Sequence, residues 1–269
     1  MIKTAYQNEL LFSGAIKKGD GGNDVKRIQE WLCLNAPNYP RAALTTSIDG
    51  QFGPATERAV QNFQAALKVP KTGVVTPELF KRLSAPLSNA FSAKPTAKDS
   101  RKAVIQIANA HLRQRSAELQ TSDGQNLGPW VRGYCDGYDG SLFKWCAGFV
   151  QTVLDQTSSA YGRSFTAIMP HTLSCDTMAL HGQGTGRLTR CANLRKKPAC
   201  MRPGDVFLLR NPETDDWFHT GIVTAVLGDA IETLEGNTDV KGGSNGTAVF
   251  ARVRNIQNAT IDILSIDGL

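Results

Sequence analysis

The sequence predicts an α+β protein: a small N-terminal three-helix bundle, then a larger domain with a central antiparallel sheet. Three observations predict it. Short amphipathic segments of helical period fill the first third, and residues 86–99 are rich in Ser, Ala and Pro without apolar period. After Pro203, strand-like runs separated by turn signals dominate. Helices first and strands afterwards are the order of an α+β domain. The boundaries read as 1–85 for the bundle (core about 15–85), 86–99 for a linker and 100–269 for the second domain.

In the bundle, Val25, Ile28 and Leu32 share one helical face. Gly53-Pro54 starts a second helix lined by Val60, Phe63 and Leu67, since proline suits the first helical position. Thr76 is an N-cap ahead of Pro77, and a third apolar face ends at Leu83. Between the first two helices, Ile48-Asp49-Gly50-Gln51-Phe52-Gly53 reads as a tight turn. From Ser100 a helix carries Ala103, Val104, Ile107, Ala108, His111 and Leu112 on one face. Residues 160–200 read as irregular. Val206–Leu209 is a strand, Gly221–Leu227 and Ala230–Glu235 form a hairpin about Gly228-Asp229, and one or two strands fill 247–266.

With 41% hydrophobic and 20% charged residues, the chain has the composition of a folded domain. No apolar run approaches the ~20 residues of a membrane span, so membrane insertion is not expected. The start, Met1 to Glu9, lacks the continuous apolar core of a signal peptide, and synthesis in the cytoplasm is expected. A net charge of +6 favours an anionic partner. Basic residues are spread out, with only Arg195-Lys196-Lys197 clustered, so nucleic acid is not the expected partner; an anionic wall polymer fits as well. The six cysteines, at positions 33, 135, 146, 175, 191 and 200, form no CxxC pair, which argues against structural zinc. They are expected free, with oxidation among Cys175, Cys191 and Cys200 open.

The chemistry centres on Trp145-Cys146-Ala147-Gly148-Phe149-Val150. Cys146, Phe149, Val150, Val153 and Leu154 fall on one helical face behind a glycine-rich turn, which places Cys146 at a helix start. Unpaired N–H groups and the helix dipole favour thiolate there. His219 on a strand and Glu235 downstream complete the thiol, imidazole and carboxylate of a cysteine hydrolase.

Two resemblances follow. Gly22-x-Asp24-Val25-x-x-Ile28-Gln29-x-x-Leu32, Asp49-Gly50-x-Phe52-Gly53-x-x-Thr56-x-x-Ala59-Val60-x-x-Phe63-Gln64 and Thr72-Gly73-x-Val75 resemble the peptidoglycan-binding type 1 domain, over about 15–85. Asn126-x-Gly128-Pro129-x-Val131-x-x-Tyr134, the Cys146 segment, Pro203-Gly204-Asp205, His219-x-Gly221-Ile222-Val223 and Glu235-Gly236-Asn237-Thr238 resemble the CHAP branch of the NlpC/P60-like cysteine hydrolases, over about 110–265. The second resemblance implies a papain-like α+β domain with Cys146 as nucleophile, His219 as base, Glu235 as orienting acid and Asn237 as a further polar neighbour. The long insert between Cys146 and Pro203 departs from the family.

Together they imply a peptidoglycan hydrolase that cleaves a wall amide bond, an endopeptidase in preference to an N-acetylmuramoyl-L-alanine amidase. A silent wall-binding protein and a thiol acyltransferase are the rivals. No cofactor is required in this reading, although Asp136 and Asp139 are calcium candidates as well as Asx-turn residues. The setting is a monomer made without an export signal, as for a phage endolysin with a holin or an injected effector with an immunity protein. His111 reads as packing, His171 and His181 as loop residues, and Trp130 and Trp145 as groove or core.

Register imposes a condition. A plain two-residue loop at Gly228-Asp229 would put His219 and Glu235 on opposite sheet faces, because side chains alternate. An odd loop or a bulge is needed. The expectation is a three-residue loop, Leu227 to Asp229, pairing Val226 with Ala230 and Asn237 with His219.

Overall fold

The computed structural model describes residues 1–269, with ten α-helices and a six-stranded antiparallel sheet. A short helix, α1 (Tyr6–Leu10), comes first, and the expected three-helix bundle follows as α2 (Asn23–Asn35), α3 (Pro54–Ala66) and α4 (Pro77–Leu83). Val25, Ile28 and Leu32 are fully buried, as their shared face requires. Thr76 Oγ1 accepts the Leu79 N–H at 3.4 Å and caps α4. Gln29 is a pin that periodicity does not reveal. Its Oε1 accepts the Gly50 N–H at 2.8 Å, and its Nε2 donates to Asp49, the Gln51 carbonyl and Thr56. Gly50 sits at φ +71°, the left-handed conformation glycine adopts cheaply.

The expected linker needs correction. Its first half is a helix, α5 (Ala85–Phe91), with Leu87, Ala90 and Phe91 buried. The reason is local: a proline suits a first turn, and those three apolar residues lie at helical spacing. Phe91 stacks on Tyr6 and packs against Trp130 and Tyr134. Bundle and second domain therefore share one hydrophobic core, in which Trp31 meets Trp130 edge-on at 6.4 Å. Arg132 adds charge across this boundary, pairing with Glu9 at 2.8 Å and Glu30 at 2.6 Å.

The second domain continues with α6 (Ser100–Arg113), α7 (Pro129–Tyr134) and α8 (Cys146–Ala160). His111 is packing, as expected: its ring bridges Tyr134 Oη at 2.8 Å and Gln156 Oε1 at 2.7 Å. Burial pulls its pKa down to about 4, against the Gln156 contact. Trp130 and Trp145 are buried in the core. The expected irregular region also needs correction, because it folds into α9 (Cys175–Gly184), β1 (Leu188–Thr189) and α10 (Cys191–Lys196). The remaining strands are β2 (Val206–Arg210), β3 (Trp217–Leu227), β4 (Ala230–Thr238), β5 (Ala248–Asn255) and β6 (Ile261–Leu264), in the sheet order β1-β6-β2-β3-β4-β5. No helix is long and apolar enough to cross a membrane.

Helix α8 lies on β3 and β4 and against α7, and Gly236 and Gly148 respectively permit the two approaches. A Cβ on Gly148 would stand 2.4 Å from the Tyr134 carbonyl oxygen, and one on Gly236 would stand 2.6 Å from Phe149 Cβ. Both obstacles are close to rigid backbone. Gly148→Ala is therefore expected to lower stability by about 2 kcal/mol, roughly 4–8 °C in melting temperature, despite alanine's better helix propensity. Calorimetry on the full chain checks this, and an unchanged or raised melting temperature would contradict it.

Candidate active site

The hairpin decides which face His219 and Glu235 share. The turn is the two-residue one, with Leu227 opposite Ala230 and Val226 opposite Ile231, so the three-residue loop is not formed. Parity is instead restored one step further on. Ala225 pairs with Glu232 but Val223 with Thr233, leaving Thr224 as a bulge. Ile222 then faces Leu234. Continued by one residue, this register sets Glu235 across from Gly221, on the face of His219; β4 is irregular beyond that point, with Asn237 at φ +55°.

On that face His219 Nε2 meets Glu235 Oε2 at 2.9 Å, with both side chains fully buried. Glu235 has further partners: Thr233 Oγ1 donates to Oε1 at 2.6 Å, and Arg254 donates from Nε at 2.6 Å and Nη2 at 2.5 Å. Burial pushes its carboxyl up, but His219 and Arg254 outweigh burial and hold it at about 2. Arg254 reaches in from β5, with its guanidinium over the Phe207 ring at 5.4 Å. The single visible signal for Arg254 is its alternation with Arg252 on that strand.

Cys146 is the first residue of α8. Its sulfur lies 4.0 Å from the sulfur of Cys175, itself the first residue of α9. The Cys146 thiol is held well below the ordinary thiol range. Cys175 contributes most, burial opposes, and His219 and the Ala147 N–H add to the lowering. His219 answers in the opposite sense. Burial alone would depress it, yet Cys146 and Glu235 raise it to about 9. With Nε2 taken by Glu235, Nδ1 is the remaining ring nitrogen, and it has no hydrogen-bond partner. The thiol lies close enough to the ring to raise it and to be lowered by it, although Nδ1 makes no hydrogen bond of full geometry. The arrangement favours thiolate, imidazolium and carboxylate in sequence.

Asn237 is buried at φ +55°; its Nδ2 donates to Asn245 at 3.4 Å, and its Oδ1 has no partner. Asp136 is paired with the fully buried Lys3 at 2.7 Å and with His171 at 3.0 Å, and Asp139 with Arg132 at 2.8 Å. Both calcium candidates thus already neutralise cations of the chain. His181 lies on α9.

The insert closes over the sulfur. Gln151 of α8 donates to the Pro170 carbonyl at 2.8 Å and accepts the Thr172 N–H at 3.0 Å, and Asp176 accepts the Trp217 N–H at 2.7 Å. Cys146 keeps 2% of its surface exposed. A separate cavity of about 960 Å³ runs between bundle and second domain, past Thr46, Ile48, Leu112, Glu118 and Val249.

Residues 21–83 match the family described as "Putative peptidoglycan binding domain". Over 72 residues the chain is 36% identical to the zinc D-Ala-D-Ala carboxypeptidase of Streptomyces albus G, covering 27% of this chain and 27% of that protein. Among solved structures, the SleB N-terminal domain is 28% identical, covering 28% of this chain and 94% of that one, with a TM-score of 0.24. The chain thus spans about a quarter of the length of that carboxypeptidase, and Cys146, His219 and Glu235 lie outside the matched residues 21–83. By the family match, residues 21–83 are similar to a peptidoglycan-binding module.

Proposed function

We propose that the chain is a cysteine-dependent peptidoglycan hydrolase of the CHAP, papain-like type, held on its substrate by the N-terminal module. The observation that carries this reading is the buried His219–Glu235 contact at 2.9 Å beside a thiol at a helix start. Cys146 thiolate attacks the carbonyl carbon of a wall amide, and the oxyanion forms near the unpaired N–H groups of the first turn of α8. His219 gives its proton to the departing amine, then takes one from the water that hydrolyses the thioester. Glu235 holds the ring so that Nδ1 faces the sulfur, and Arg254 and Thr233 hold Glu235. Access requires the first turn of α9 to move aside from Cys146.

The module keeps the chain on the wall, and the shared core makes it a fixed arm, not a loose tether. The cut falls in a stem or cross-bridge peptide, with the muramoyl–L-alanine amide as the second candidate. The chain works as a monomer without a required cofactor, as an endolysin or an injected antibacterial effector. Digestion of purified sacculi under reducing conditions, followed by mass spectrometry of soluble fragments, tests this. New amine ends within stem or cross-bridge peptides support the endopeptidase, and freed L-alanine amines the amidase. An undigested wall that still sediments the chain favours the silent binder.

The proton inventory predicts the pH dependence. The competent pair needs Cys146 deprotonated and His219 protonated, so kcat/KM is expected to be level at neutral pH. It should fall as pH rises through about 9, where His219 loses its proton. The acid limb should lie well below the ordinary thiol range. A rate still climbing past pH 9 would contradict this assignment.

A further inference from the structure

The 4.0 Å approach of Cys175 to Cys146 helps to lower the Cys146 thiol, but no hydrolytic step uses a second sulfur. Both cysteines open helices, and the first turn of α9 is anchored close beside Cys175. Ser174 caps the helix by accepting the Thr177 N–H at 3.2 Å, and Asp176 is tied to Trp217 of β3. The strap leading into it is tied to α8 through Gln151. The two sulfurs thus meet without any large shift of the chain. All six cysteines are free, and the other four are Cys33, Cys135, Cys191 and Cys200.

We propose that Cys146 and Cys175 form a reversible disulfide, an oxidative modification site that blocks the candidate nucleophile. Hydrogen peroxide is the oxidant. The Cys146 thiolate attacks one peroxide oxygen, the O–O bond breaks, and the leaving hydroxide takes the His219 proton to become water. Sulfur is thereby oxidised by two electrons to the sulfenic acid and the peroxide is reduced. The Cys175 sulfur then attacks the Cys146 sulfur, the S–S bond forms, and the S–O bond breaks. The departing oxygen leaves as a second water, carrying the Cys175 proton.

The sulfurs must close from 4.0 Å to the roughly 2.05 Å of a disulfide, a movement shared between two side chains that each stand at a helix start. While Cys146 is anionic, its negative charge disfavours ionisation of Cys175 and burial adds to that, so Cys175 stays protonated. Oxidation of Cys146 to the neutral sulfenic acid removes that charge, which orders the two steps. A dithiol reverses the bond by exchange.

This concerns the site of the proposed hydrolase, but its primary readout does not depend on hydrolysis. The full chain is treated with hydrogen peroxide and digested without reduction, and peptides are identified by mass spectrometry. The expected product is a Cys146–Cys175 cross-linked peptide lighter by two hydrogens than the two separate peptides, lost on dithiothreitol treatment. Cys200→Ser, at an exposed position, should give the same cross-link. In Cys175→Ser, peroxide should carry Cys146 to the sulfinic acid, a state that dithiothreitol does not restore. Sulfinic Cys146 in the unmutated chain without a cross-link, or a cross-link joining Cys175 to Cys191 or Cys200, would overturn the proposal. If wall digestion fails in the reduced protein while the cross-link forms, the hydrolase reading falls and this one stands.

Discussion

Replacing Cys146 by alanine is expected to abolish clearance of purified sacculi while leaving sedimentation with them unchanged. The two readouts separate because the groups responsible lie in different parts of the chain. The residues matched to wall binding end at 83, whereas Cys146 opens α8 in the second domain. Removing the proposed nucleophile would leave His219 and Glu235 with nothing to activate, and loss of the attacking group in such triads costs on the order of 10⁶-fold in kcat. The substitution trims a side chain from the first turn without disturbing the glycine contacts of α8, so the melting temperature should hold. Clearance by the Cys146→Ala protein equal to that of the unmutated chain would end the enzymatic account and leave a wall-binding protein.

Glu235→Gln is the second large effect. The carboxylate accepts from His219, Thr233 and both arms of Arg254, and it is held at about 2 against its own burial. A glutamine amide cannot accept at both atoms. In either orientation its NH₂ faces Arg254, donor against cation: beside Thr233 and Arg254 Nε at one position, or beside His219 and Arg254 Nη2 at the other. The expected loss is on the order of 10⁴-fold in kcat, comparable to removal of the orienting acid elsewhere. Without the carboxylate, less holds His219 protonated, so the basic limb of the pH profile should also move down from about 9. A purely structural role for Glu235 would lower stability and leave that limb in place. Rate–pH profiles of both proteins distinguish the two.

The sequence shows some of this site and hides the rest for identifiable reasons. Cys146 at a helix start was legible because the apolar period begins there behind glycines. The need for a parity change between His219 and Glu235 was legible from strand alternation alone. Its location was not: a bulge at Thr224 and an odd loop give the same parity, and no residue type marks this bulge. In the sequence Cys175 is one of three remote thiols, because residues 160–200 carry too little apolar period to mark a helix start there. Helix α9 has a weak apolar stripe, with Leu180 exposed, so its fold depends on packing against β3. Helix α5 was hidden by composition, since Ser, Ala and Pro read as a linker until Leu87, Ala90 and Phe91 are set at their helical spacing. Arg254 shows in the sequence only as an alternation with Arg252, because its role comes from pairing with a neighbouring strand that no local pattern registers.

The bundle is the converse case. Its pattern was visible through core and turn positions, and residues 21–83 match the wall-binding family. What that pattern does not show is the fusion of the bundle to the second domain through Phe91, Trp130 and the Arg132 pairs.

The most direct measurement is the rate of Cys146 alkylation by iodoacetamide as a function of pH, followed by peptide mapping of the full chain. The account predicts a rate already near its plateau at neutral pH, with its rise well below the ordinary thiol range, and a rise displaced upward in Glu235→Gln. A Cys146 that reacts only as pH climbs through the ordinary thiol range, identically in both proteins, would contradict the charged pair on which the mechanism rests.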